Sequence, residues 1–548
     1  MLLPMAVPAV ALIVVPEFAS PFLGAKTACL LVAGAVAPFA CLTVQRQMPP
    51  DVPSFSHAKW LLWSAALWAA AIIAATLHAQ NWAESWHVLA PCAAAAFLLI
   101  AFIRRRITAE AMMAAIAVSA VTVAAFAISG HFGYDLPRLF SGKAAPGRMR
   151  AASTLGNPLF VASFLSSAIW ASLALPLRWW WRVAAALVIV GGMAVTTERT
   201  VLFAFAAGAI VFSLSRGAPL RQRALVLALL LLLAGWYASG HARNPRSLAM
   251  AAQGRFFLWK YSLHQVMLLG NGPGSFYRVY NKNLREAATT ISSSQFHFIN
   301  YETDSYNIFV QALVEEGWAG LAAMLAFIAA WFRVAWCART NISGSCALAG
   351  VAAFLASGVT DDPLSRPEGM LLLAAWLAMP ALALLQDGPS QDNLFRDKSA
   401  IFKIESSRSR LTKAFPAIAS LVCLLLMSAA AITAFTNYAV RAGEQAEEHG
   451  DWTRAEHWDR AALRFDPAQR DARYNLVRVL AESRQYQASL EESEKALDWV
   501  NEAELHIIRI RVLPMVGQPQ QAREELDRAR REFPWSQALR RESTPTGN

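Results

Sequence analysis

The chain has 548 residues, 56% hydrophobic and 16% charged, with a mean hydropathy of +0.35 and a formal net charge of +11. A soluble protein of this size does not carry so much apolar surface, which excludes the soluble classes. The positive balance does not point to nucleic acid either, because the arginines and lysines are gathered in short loops between apolar stretches.

Those stretches, taken in chain order, lie near residues 3–20, 25–44, 60–78, 86–103, 109–129, 157–176, 180–197, 199–215, 222–240, 306–333, 342–359, 367–386 and 415–438. Each approaches the roughly 20 apolar residues that a spanning helix needs. The segment 180–215 also reads as one broken hairpin. The first stretch lacks a following cleavage pattern and reads as a retained helix. The expected class is therefore all-α: a polytopic helical membrane protein with about 12–13 spanning helices. Five cysteines (29, 41, 92, 346 and 423) lie in or near the stretches and Cys337 beside one, a distribution that suggests neither a disulfide framework nor a cysteine metal site.

Basic residues follow the even-numbered helices: Arg104–Arg106, Arg178 and Arg182, Arg216 with Arg221 and Arg223, Arg333 and Arg339, and a group from Arg396 to Lys413. The positive-inside rule assigns those loops to the cytoplasm and the alternate loops to the outer face. The expected organisation is a membrane core over 1–386, with a long outer loop at 241–304. A polar, basic cytoplasmic linker follows at 387–414, then a last crossing at 415–438 and an outer, water-soluble tail at 439–548. The tail repeats. Trp452 and Tyr486 are 34 residues apart, as are Ala462 and Ala496, and a third unit with Gly517, Ala522, Ala529 and Pro534 follows. That spacing resembles the tetratricopeptide pattern of paired helices, and predicts a helical-repeat domain able to receive a protein partner.

The unusual polar residues fall on the outer side of this topology. In "TDSYNIFVQALVEEGWAG" (303–320), Asp304 and Ser305 read as a helix start, and Asn307, Gln311 and Glu315 recur at helical spacing, so they share one stripe. Polar groups in an apolar helix are costly, and the stripe is expected to line a cavity. Glu198 and Arg199 lie at an outer boundary between two helices, where they read either as a capping pair or as an anion clamp. Arg255 stands early in the long outer loop, where a membrane-surface amphipathic helix would also explain it. The Gly-rich "LLGNGPGSF" (268–276) has no βαβ context and reads as a turn.

Four blocks carry a resemblance. "STLGNPLFVASFL" (153–165), "TTERTVLFAF" (196–205), "RFFLWKYSLHQVMLLGNGPGSF" (255–276) and "YNIFVQALVEEGWAGL" (306–321) resemble, in order, blocks of the O-antigen ligase and polymerase family of membrane glycosyltransferases. The resemblance implies an enzyme of the bacterial inner membrane, with its tail in the periplasm. It would transfer a glycan from an undecaprenyl-diphosphate carrier to an acceptor hydroxyl, without cofactor or metal. The acceptor would be lipid A–core, a growing glycan or a protein. It implies Arg199 and Arg255 as diphosphate ligands, with Tyr306, Asn307, Gln311 and Glu315 lining the site. The family carries a histidine where Tyr306 stands, so Asp304, Glu302 and His297 are the candidates for the base, and Asp304 reads equally as an ordinary helix cap. Arg148, Arg150 and Arg366 are the next arginines in reserve. A lipid-linked-sugar transporter and a non-catalytic scaffold are the readings from other classes.

Overall fold

The computed structural model describes residues 3–42, 56–105, 107–134, 151–215, 217–241, 245–264, 266–299, 302–386 and 408–543. Arg106, Arg148, Arg150, Arg216 and the linker as far as residue 407 lie outside these. The chain is an all-α polytopic membrane protein, with no strand among the described residues. Among the described residues, eight helices are long and apolar enough, by length and composition, to cross a membrane, and five shorter apolar helices accompany them.

In order, the membrane part consists of α1 (Ala6–Leu12), α2 (Leu23–Leu42), α3 (Ser56–Leu77), α4 (Trp82–Arg104), α5 (Ala109–His131), α6 (Pro158–Ala168), α7 (Trp170–Leu173), α8 (Trp179–Thr196), α9 (Thr200–Leu214) and α10 (Leu220–His241). An extramembrane segment carries α11 (Pro245–Ser262) and α12 (Phe276–Glu286). The chain then returns through α13 (Ile308–Glu315), α14 (Gly317–Ala335), α15 (Ile342–Ser357) and α16 (Pro367–Gln386). The expected hairpin at 180–215 is two helices, separated by Thr197 in a left-handed conformation. The expected single span at 306–333 is interrupted between Glu315 and Gly317.

Small residues set the core. Without a hydrophobic drive between helices in lipid, close backbone approach supplies the packing. Gly208 leaves room for the fully buried Trp170, which also meets Phe205 and Phe212 at 5.3 and 5.5 Å between ring centroids. Gly350 does the same for Trp376, whose indole N–H donates to Ser167 Oγ at 3.1 Å. α3, by contrast, packs mainly along α14 and leaves Trp60, Trp63 and Ile73 exposed, as a lipid-facing edge helix does.

The bundle has two distinct ends. At one, the basic turns interlock: Gly217 N–H donates to the Arg339 carbonyl at 2.8 Å, and Arg182 and Gln222 both donate to the Leu173 carbonyl at 3.3 Å. At the other sit α11, α12 and the C-terminal domain. α17 (Arg408–Glu448) is a single 41-residue helix that carries the last crossing directly into that domain. Three helix pairs follow: α18 (Trp452–Phe465) with α19 (Arg470–Glu482), α20 (Tyr486–Leu497) with α21 (Ala503–Val512), and α22 (Pro519–Glu532) with α23 (Gln537–Arg541). Their first helices begin 34 and then 33 residues apart.

The repeats are docked, not free. His87 at the top of α4 meets Asp466 at 3.0 Å, and Tyr277 of α12 donates to Glu502. The Arg470 guanidinium lies 3.9 Å from the centre of the Tyr277 ring. Farther along, Arg285 faces Glu532 at 3.8 Å and Trp535 meets Phe296 edge-on. The adjacent Arg278 ties α12 to Gln80 and Glu84 at 2.8 and 3.0 Å.

Candidate functional site

The end of the bundle that carries α11 and α12 also gathers most of the expected site residues. The loop before α13 is the centre. Asp304 does not cap the helix, because Asn307 does: its Oδ1 accepts the N–H groups of Phe309 and Val310 at 2.9 and 3.1 Å. Its amide also donates to the Val359 carbonyl at 2.9 Å. Asp304 Oδ1 instead accepts the Tyr306 N–H at 3.2 Å, in a turn that holds Tyr306 at a φ of 50°. The Tyr306 hydroxyl donates to Glu302 at 2.8 Å.

The polar stripe of α13 meets protein groups. Gln311 Oε1 accepts the Ser305 N–H at 2.9 Å, and its amide donates to Glu315 Oε1 at 2.7 Å. Glu315 also accepts the Phe276 N–H at 3.3 Å. The Gly-rich segment is the counterpart: Asn271 and Gly272 N–H donate to the carbonyls of Val314 and Glu315, and the Met267 and Leu268 carbonyls accept from Trp318 and Ala319. The segment thus serves as a clasp that satisfies the backbone groups freed where α13 breaks into α14. Gly270 and Gly317 face each other there with positive φ, and a Cβ on either would lie 2.3–2.4 Å from the other strand's backbone.

Around Asp304 stand groups from distant parts of the chain. Arg366 forms a two-pronged pair with Asp361, one arm at 3.0 Å, and its guanidinium lies 3.3 Å from the centre of the Phe160 ring. Ser163 donates to the same carboxylate at 2.5 Å. Asp362 accepts the Leu364 N–H at 3.1 Å. Burial pushes Asp304 up to about 6, with Arg366 opposing and Asp361 and Glu302 adding to the rise. Burial likewise pushes Asp362 up to about 7, and the charge of Asp304 pushes it further. These carboxyls therefore share one electrostatic neighbourhood.

The two expected diphosphate ligands converge from different elements. Arg199 begins α9, and Arg255 lies on α11 one turn before Trp259, whose indole N–H donates to the Ser305 carbonyl at 2.8 Å. Between the helices α8 and α9 is Glu198, whose carboxyl burial pushes up while Arg255 and Arg199 pull it down and Asp361 raises it. Arg199, Arg255 and Asp361 thus act on Glu198, and Asp361 acts in turn on Asp304. His297 is exposed on the turn Ser293–Phe298, its ring 3.9 Å from that of Phe298.

Sequence reasoning passed over Asp361, Asp362, Ser163 and Phe160. The available signal was "TDDPLSRPEG" (360–369), in which two acids and an arginine stand between apolar helices. Arg366, an arginine in reserve, is already engaged by Asp361. No protein-family model matches this chain, and no curated protein matches it.

Proposed function

We propose that this protein transfers a glycan from an undecaprenyl-diphosphate carrier to an acceptor hydroxyl, at the outer face of the inner membrane. The observation that carries the reading is the convergence of Arg199 and Arg255 on Glu198, with Asp361 common to the surroundings of Glu198 and of Asp304, a carboxyl raised to about 6, at the end of an apolar bundle. The acceptor oxygen attacks the anomeric carbon and its proton passes to Asp304. The bond from that carbon to the diphosphate breaks, and the diphosphate leaves with the bonding pair. Charge grows on the leaving group as the bond breaks, so guanidiniums fixed near it favour the transition state over the ground state. A carboxyl near 6 is largely ionised at neutral pH and basic enough to take a proton. The buried Asp361–Arg366 pair would hold the floor of the site, since an uncompensated charge there is costly. The docked repeats would act as part of the outer wall and as the surface toward a partner or acceptor.

The test is transfer by the purified full-length chain from undecaprenyl-diphosphate-linked glycan to a set of lipid, glycan and peptide acceptors. Arg199→Ala and Arg255→Ala should each cut transfer by about 10²–10³, the loss typical of one removed charge-stabilising donor, with membrane insertion unchanged. Lysine at either position should rescue poorly, because a point charge replaces a planar fork. Full activity in both alanine variants would remove the proposed clamp.

A further inference from the structure

α11 shows two unlike faces. Phe257, Leu258 and Tyr261 are buried in a cluster with Phe276, Tyr280 and Leu284 of α12. On the other side Ala252, Phe256 and Lys260 follow one another at a spacing of four and are all exposed, so they form one outward stripe. Phe256 is 72% exposed and the nearby Met250 53%. In a water-facing helix such side chains would be left without apolar cover.

A second observation fixes the depth of this stripe. The chain leaving α11 exposes Met267 and Leu268, at 52% and 69%. Their carbonyls accept the N–H groups of Trp318 and Ala319 at 3.3 and 3.0 Å, so the two residues sit at the first turn of α14. α14 is a candidate membrane-crossing helix, and Trp318 is itself 57% exposed at its outer end. Exposed tryptophan at a helix end is the usual mark of the lipid–water boundary. The apolar surface of Met267, Leu268 and Trp318 is therefore continuous with the lipid-facing side of the bundle. Lys260 on the stripe is a cation of the kind that reaches lipid phosphates while its stem stays on apolar surface.

We infer that residues 250–264 and 266–268 form an interfacial paddle whose partner is the outer leaflet itself. Phe256, Met267 and Leu268 dip below the headgroups, and Lys260 meets the phosphate layer. Arg255, next to Phe256 and facing Glu198, then stands at headgroup depth. A bound lipid surface explains the stripe without a second protein, since the neighbouring apolar surface is already that of a membrane helix.

The experiment places benzoyl-phenylalanine at position 256 of the full-length chain, reconstituted in vesicles of phosphatidylethanolamine and phosphatidylglycerol. Irradiated protein is digested, and the peptide carrying position 256 is weighed. The expected result is phospholipid adducts at 256, with few or none at the exposed control position Ser293. Parallel probes at Met267 and Leu268, both exposed, keep the test open if one variant folds poorly, and both should capture lipid. An unreacted probe at all three positions would put the stripe in water and overturn the inference. Adducts to protein instead of lipid would also overturn it, in favour of a partner chain or a second copy.

Discussion

Asp304 stands where opposing influences on one carboxyl meet. Burial, Asp361 and Glu302 raise it, while Arg366 and the Tyr306 N–H lower it, and the outcome is about 6. If it takes the acceptor proton, only its ionised form works, so transfer should climb as pH rises through about 6 and level off above. Asp304→Asn should lose that limb and fall by about 10²–10⁴, the usual cost of a lost general base. A pH–rate profile of the two proteins checks this. An asparagine variant that keeps the same limb would move the base to another group, with His297→Ala the next assay. A second carboxyl lies far from the site: Asp459 of α18 is wholly buried, and neither of its oxygens meets a donor among the described residues. Burial and Glu447 push it up to about 8, Arg478 opposing and Glu444 adding. Its folded value lies above the ordinary one of about 3.9. The stability it confers is thus complete below about pH 4 and is lost as pH rises toward about 8. Asp459→Asn should therefore make the first repeat more resistant to unfolding at about pH 8 and change little at about pH 4. Hydrogen exchange of residues 452–482 in the full chain reads this directly, and identical pH dependence in the two proteins would refute it.

The break between α13 and α14 is the element on which the site loop depends. Asn307 caps one side, and the Gly-rich clasp satisfies the other. The clasp works only because Gly270 and Gly317 allow two backbones to touch. Gly270→Ala forces a left-handed alanine, which costs about 1–2 kcal/mol, and also drives a Cβ to 2.3 Å from the Glu315 carbonyl. Gly133 offers the control: its φ is also positive, but nothing lies within 4 Å of its Cβ position. Gly133→Ala should lower the thermal midpoint in detergent slightly, and Gly270→Ala markedly more. Equal losses would mean that the clasp is loose.

For the whole molecule, charge and docking agree on which segments share an end. The basic turns 173–182, 217–223 and 338–341 interlock at one end. α11, α12 and the repeats hold together at the other, through His87–Asp466, Tyr277–Glu502 and Arg285–Glu532. On the positive-inside rule, the proposed orientation puts the repeats outside. Reporter fusions after Arg541 and within 333–339 should report opposite faces, with the former outside. A cytoplasmic tail would remove the outer-face site altogether.

The all-helical class, the approximate places of the apolar helices and the periodic spacing of the tail are legible along the chain. Those are local properties: apolar length and a period of 34 and then 33 residues can be read from neighbours along the chain. The sequence also marked Arg199 and the polar stripe of 304–315 as out of place in apolar surroundings. Only the tertiary structure decided what each polar group does. Asn307 became the cap in place of Asp304 because Val359 offers its amide a carbonyl from another helix. Glu315 turned to the clasp because the Phe276 N–H needs an acceptor. Arg366 was taken up by Asp361 and Phe160, the latter some two hundred residues away. Buried hydrogen-bonding groups must find partners, and which partners are in reach is set by how the helices pack, a quantity that no spacing along the chain contains.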